Sequence, residues 1–178
     1  PRGMGGPAQN KPTGMNLVGP DWKEAFLALH LNRPLLGQRV YDVLCVLSAL
    51  RQTHGAKTVH LVGLGRCGPI VLHAAALSDK VDRVTVYRSL ASWESIVQER
   101  LSVGQLANVV PKALAVYDLP ELAATLAPRP LCVIYPTRAN GTPADNQCAQ
   151  DAFAVVRISY QQAQAPQHFQ VITPRPDQ

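Results

Sequence analysis

One stretch constrains this chain more than any other. It is Thr58-Val59-His60-Leu61-Val62-Gly63-Leu64-Gly65-Arg66-Cys67-Gly68-Pro69, followed without a break by the mostly apolar run Ile70 to Leu77. The β-branched run closing on Gly63 predicts a strand, the glycines that follow predict a tight turn, and Pro69 opens a buried helix. A strand that passes through such an elbow into a helix displays its turn residue at the end of a parallel sheet. That residue lies beside a helix N-terminus whose free N–H groups favour anions. In the pattern G-x-S-x-G counted from Gly63, the nucleophile position falls on Gly65, so the serine is missing.

The rest of the chain builds outward from this unit. Asp21-Trp22-Lys23-Glu24 reads as a capping box for a short helix to about His30. After Asn32-Arg33-Pro34, a longer helix repeats Leu36, Val40, Val43, Leu44, Leu47 and Leu50 at helical spacing and leaves Gln38, Arg39, Asp42 and Arg51 outward. It stops at His54-Gly55. Beyond the elbow, Val81 to Tyr87 alternates as a second strand, which makes a βαβ unit with parallel strands and a right-handed crossover. Ser92 to about Leu101 predicts a helix, and Val103 to Val116 is weakly patterned. Asp118-Leu119-Pro120-Glu121 is a second capping box, and its helix ends before Pro128-Arg129-Pro130. Leu131 to Tyr135, an apolar run bounded by prolines, predicts a strand buried on both faces. Thr142 to Asp145 caps a last long helix to about Gln162, and Phe169 to Ile172 supplies the final strand. Residues 1–20 predict an irregular opening loop and residues 173–178 a Pro-rich tail. Together these predict an α/β chain: a mostly parallel sheet with helices on both faces, and Lys57 to Val62 central between Arg83 to Tyr87 and Leu131 to Tyr135.

Composition removes several function classes. With 178 residues and 47% apolar side chains, the chain holds one domain with a sizeable core. The net charge of +5 is scattered without a basic run, which reads as a solvated basic surface and not as a nucleic-acid or membrane interface. No apolar stretch approaches the roughly 20 residues of a transmembrane helix. Cys45, Cys67, Cys132 and Cys148 show no C-x-x-C spacing and no His pair at ligand distance, so no metal is predicted and no cofactor motif occurs. The chain begins at Pro1 with no initiator methionine or signal-peptide core, so it reads as the inside of a longer polypeptide.

The residues also carry a resemblance. Arg2-Gly3-Met4-Gly5, Asn32-Arg33-Pro34-Leu35-Leu36, the elbow from Gly63 to Pro69, Asp118-Leu119-Pro120-Glu121-Leu122 and Ala127-Pro128-Arg129-Pro130-Leu131 together resemble the α/β-hydrolase superfamily. Within it, the likeness is to bacterial acetyl-xylan-esterase-like and related carbohydrate-esterase-like proteins. The resemblance covers nearly the whole chain but only the later part of that fold. It implies that residues 1–178 are the C-terminal portion of a single domain whose early strands lie upstream of Pro1. It further implies a carbohydrate or small ester ligand, an upstream segment or partner chain covering the sheet edge, and a secreted or periplasmic setting.

An acyl-transfer site needs nucleophile, base, orienting acid and oxyanion hole in one place. Gly65 cannot attack. Shifting the register by two gives Gly65-Arg66-Cys67-Gly68-Pro69, with Cys67 at a helix N-terminus beside Arg66, both features that activate a thiol. A cysteine nucleophile is known in the dienelactone-hydrolase branch of the superfamily. In the family the acid follows the strand read as Leu131 to Tyr135, where the first carboxylate is Asp145, itself a helix cap. The histidine should follow the last strand, but the tail has none. His168 precedes Phe169 and would reach the site only if the last strand were Val155 to Tyr160. His60 and His73 read as partly buried packing residues, with an outward His60 as the alternative because strand faces alternate. The oxyanion-type backbone would comprise Gly63, Gly65, Arg66 and Gly68. Two function classes follow: a catalytically degenerate module, or pseudoenzyme, with a structural, accessory or binding role, and an active esterase using Cys67, His168 and Asp145 or residues from upstream.

Overall fold

The computed structural model describes residues 1–4 and 17–174, so most of the opening loop and the end of the tail lie outside the described residues. Two helices come first, α1 (Trp22–His30) and α2 (Leu35–Gln52). Then follow β1 (His60–Leu64), α3 (Gly68–Ala76), β2 (Arg83–Tyr87) and the short α4 (Glu94–Gln98). The chain continues through α5 (Leu119–Ala124), β3 (Leu131–Ile134), α6 (Asn146–Ala152), α7 (Ala154–Gln162) and β4 (Phe169–Ile172).

The four strands form one all-parallel sheet in the order β1-β2-β3-β4. The strand holding the elbow is therefore an edge among the described residues. It pairs with β2 alone and is not the centre between β2 and β3. Right-handed crossovers explain this order: when successive crossover helices lie on the same face, each new strand must be added on the same side. The register puts Leu61, Val84, Leu131 and Phe169 in one row and Gly63, Val86, Val133 and Val171 in another. Both rows meet Val71, Leu72 and Ala75 of α3, Ala123 of α5, and Val156 and Tyr160 of α7 in the main core. The other face carries His60, Val62, Leu64, Thr85, Tyr87, Cys132 and Ile172. There Val62 is 52% and Leu64 61% exposed, so the helical layer of the described residues covers one face of the sheet where two were predicted. A parallel sheet normally has both faces covered, because its strands are apolar on both sides.

One of the two capping boxes read from the sequence forms and the other does not. Asp118 closes its capping box: its own N–H donates to Glu121 Oε2 at 3.0 Å, and its carboxylate accepts from Leu119 N–H at 2.6 Å. The same carboxylate accepts from the Ser92 hydroxyl at 2.5 Å and Trp93 N–H at 2.6 Å, which keeps both residues out of α4 and shortens the helix predicted from Ser92. The helix predicted to run to Gln162 breaks at Phe153, whose ring is buried against Phe169 at 6.2 Å. The Asp21 capping box does not form. Its carboxylate turns to Arg39 and Arg66 instead, and Arg39, predicted outward, is 1% exposed.

Candidate functional site

The elbow forms as its glycines dictate. β1 ends at Leu64, residues Gly65–Cys67 make one 3-10 turn, and α3 starts at Gly68. Gly65 adopts φ +52, the left-handed conformation that a side chain disfavours, and a Cβ there would meet nothing nearer than Arg88 O at 3.9 Å. The turn is sharp and the space above it is empty. Gly68 is glycine for a different reason: a Cβ would lie 1.8 Å from Ser89 Oγ, so the start of α3 packs directly on the end of β2. All of α3 except His73 and Ala76 is buried.

Two of the four oxyanion-type backbone positions are already committed. The Gly68 N–H donates to Gly65 O and closes the 3-10 turn. Gly63 lies inside β1, buried and opposite Val86. The open part of the elbow is Gly65 and Arg66. Arg66 donates from Nη1 to Asp21 Oδ2 at 2.9 Å, and Asp21 takes a second ion pair of 2.9 Å from the buried Arg39. Arg39 in turn donates from Nε to Arg2 O at 3.1 Å. A buried carboxylate thus ties the first helix, the second helix and the elbow together.

The three residues of the sequence-derived triad are not brought together. Cys67 is a half-buried free thiol. Asp145 is at the same end of the sheet, in the loop after β3, but its carboxylate accepts from Cys148 N–H at 2.8 Å as a helix cap and pairs with Arg138 at 2.8 Å. His168 lies just before β4, at the N-terminal ends of the strands, whereas the elbow lies at their C-terminal ends. Its Nδ1 is 2.7 Å from Pro128 O. Residues Val155 to Tyr160 are part of α7, so the strand that would have carried His168 to the elbow does not exist.

Of the remaining histidines, His73 is the structured one. A carbonyl only accepts, so Nδ1 donates to Pro69 O at 2.6 Å, and Nε2 faces the Tyr117 hydroxyl at 2.9 Å. Burial lowers the His73 pKa, which keeps the ring neutral and lets Nε2 accept from that hydroxyl. Burial also raises the Tyr117 pKa. Trp93 packs on His73 at 5.6 Å, so the cluster braces α3 from behind and does not open onto the elbow. His60 takes the outward alternative: it is exposed on the open sheet face, with Nε2 2.9 Å from Thr85 Oγ1.

Concavities at this end of the sheet among the described residues include a smaller and a larger one. The smaller, about 170 Å³, lies over the elbow and is lined by Gly65, Arg66, Arg88, Gln105, Asn108 and Thr137 among others. The larger, about 1120 Å³, runs between α4, α5 and the start of α6 past Ser92, Asp118, Arg138 and Asp145, and contains no elbow residue. Among the described residues no group of three His, Cys, Asp or Glu side chains could hold a metal. None of their helices is long and apolar enough to cross a membrane.

An all-parallel sheet, a strand-elbow-helix turn at its edge and a crossover layer in this order make a parallel α/β fold. Solved structures share it. A Bacteroides fragilis protein named as an acetyl xylan esterase superposes with a TM-score of 0.70 at 16% identity, over 87% of this chain and 41% of that one. A carbohydrate esterase family 15 glucuronoyl esterase from Caldicellulosiruptor kristjansonii superposes with a TM-score of 0.55 at 18% identity, over 80% of this chain and 46% of that one. The chain thus spans less than half the length of each. No family model and no curated protein matches the sequence.

Proposed function

We propose that this chain is a catalytically degenerate α/β-hydrolase-like module, the C-terminal portion of a single domain, with a structural, accessory or binding role in a larger polypeptide. The observation that carries the reading is Gly65: the residue at the apex of the elbow, with the left-handed backbone of a nucleophile turn, has no side chain. The placement of His168 at the far end of the strands and of Asp145 in a helix cap supports it. The upstream part of the same polypeptide, or a partner chain, would cover the β1 edge and the open sheet face. The exposure of Val62 and Leu64 favours that completion.

Hydrolysis of aryl acetates and acetylated sugars by the intact protein tests the reading. It should stay at background, and Cys67→Ala should change nothing. Activity abolished by Cys67→Ala, with an acyl-thioester on Cys67 detected by mass spectrometry, would overturn it.

A further inference from the structure

We propose that the outward face of α1 seats this protein on an anionic lipid surface, with Phe26, Leu27 and Leu31 entering the headgroup region and Lys23 and Arg33 meeting the lipid charge. This contact needs no chemistry from the elbow and is the same whether or not Gly65 marks a lost nucleophile.

For a surface helix, α1 is turned inside out. Its inward face is made of the small residues Ala25 and Ala28, which pack with Leu35, Leu106 and Ala107. Its large apolar side chains lie on the other side: Phe26 is 46% exposed, Leu27 64% and Leu31, the residue that caps the helix, 71%. Lys23, Phe26, Leu27, His30 and Leu31 follow the i, i+3, i+4, i+7, i+8 spacing that lines up one face of a helix, and all five are exposed. The outward face of a helix in a globular protein is normally polar, and apolar side chains gathered there mark a contact surface. The half-buried Trp22 borders the stripe, its ring edge-on to Phe26 at 6.2 Å and its face 5.6 Å from Lys23 Nζ.

Charge decides the occupant. Lys23, His30 and Arg33 are exposed on or beside the stripe, while residues 17–33 present no exposed carboxylate. Asp21 is buried between Arg39 and Arg66, and Glu24 is half-buried with its Oε2 shielded from solvent. A second copy docked on this face would set the same cations against each other, so the stripe is not self-complementary. A protein groove that takes a helix encloses it from both sides. Here α1 is already backed by α2 and residues 106–108, which leaves a stripe that fits a plane better than a groove. Phenylalanine and leucine flanked by lysine and arginine, with a tryptophan at the border, lie in a lipid interface and are drawn to anionic headgroups. These cations are spaced along a helix and form no run, which is why the sequence reads as a merely solvated basic surface.

Flotation of the intact protein with vesicles tests the proposal, because bound protein rises with the lipid and aggregated protein does not. The protein should float with phosphatidylcholine vesicles containing one-quarter phosphatidylglycerol, float less with pure phosphatidylcholine, and dissociate as salt rises. Leu27→Ser with Leu31→Ser should weaken binding by about tenfold or more, through the lost burial of two leucines. Lys23→Gln with Arg33→Gln should remove most of the preference for anionic lipid. Leu64→Ser, on the open sheet face, should leave flotation unchanged, and thermal melts show that all variants are folded. In a Leu27→Trp variant the tryptophan emission should move to shorter wavelength on anionic vesicles. No flotation with anionic vesicles, or flotation that Leu27→Ser with Leu31→Ser leaves intact, overturns the proposal. Equal binding to both lipids overturns the choice of an anionic surface. If the wild type does not float but the leucine variant loses self-association in sedimentation velocity, the stripe is a protein contact and the proposal fails.

Discussion

Replacing Asp21 by alanine should destabilise this protein more than any other single charge removal among its described ion pairs. Asp21 joins Arg39 and Arg66 at 2.9 Å each, and the side chains of Asp21 and Arg39 are 6% and 1% exposed. Removing one partner of a buried pair strands the other, at about 3–5 kcal/mol. The contribution of Arg66 is smaller, because its side chain is 35% exposed and water screens it. The contrast is Arg2–Asp42, an ion pair whose side chains are 48% and 22% exposed. Asp42→Ala should therefore cost no more than about 1 kcal/mol. Urea unfolding followed by far-UV circular dichroism measures both. For a chain of this size, about 3–5 kcal/mol corresponds to roughly 10 °C in the melting midpoint. A third variant isolates the cause: Asp21→Leu with Arg39→Met removes both charges, and by replacing the pair with apolar volume should recover most of the loss. If Asp21→Ala stays within about 1 kcal/mol of wild type, the trio is not a buried ionic tie and the reasoning fails.

Three further outcomes follow from the same geometry. Gly68→Ala puts a Cβ 1.8 Å from Ser89 Oγ and 2.5 Å from Ser89 Cβ, so α3 must shift off β2; chemical denaturation should show a loss of about 1–3 kcal/mol, and a neutral result would mean the elbow is not packed as described. His73 has a pKa lowered by burial from 6.5. The native state therefore binds fewer protons than the unfolded chain once the unfolded imidazole titrates. Its contribution is complete above pH 6.5 and is lost as pH falls towards the folded pKa, so denaturant midpoints should drop on acidification and His73→Gln should flatten that slope. The exposed β1 edge should make Pro1–Gln178 self-associate, with Leu64→Lys reducing association in sedimentation velocity; a monodisperse, cooperatively melting wild-type monomer would refute this.

The fold was largely legible because its signals are local. The βαβ unit, the Asp118 capping box and the buried strand before β4 each depend on residues within a few positions of one another. The sheet order was not legible in the same way. Parallel pairing says that strands adjoin but not which sits at the edge, and the position of β1 follows from which face α3, α5 and α7 share, a tertiary fact. Arg39 shows the limit of periodicity most clearly. Its helical position carried no partner in sequence, and only folding brings Asp21 from 18 residues away to neutralise it at the cost of the Asp21 cap.

The site was legible in its form and not in its contents. Glycine at the apex of an elbow can be read from spacing alone, because positive φ and close backbone approach admit few other residues. What surrounds that apex cannot be read this way. Arg88, Gln105, Asn108 and Thr137 reach the elbow from three different segments, and none of them belongs to a motif. Arg88 follows an ordinary alternating strand, and its left-handed backbone had no glycine or asparagine to signal it. Asn108 sits in the weakly patterned stretch before α5, where a polar residue is expected on the surface but is buried here, with no partner for its oxygen among the described residues. The same contrast explains why Cys67, Asp145 and His168 do not meet. Asp145 and His168 were placed by their order along the chain, and chain order fixes the end of the sheet at which a residue lies only when its own strand is assigned correctly. His168 precedes β4 and Asp145 follows β3, so the two side chains lie at opposite ends of the sheet.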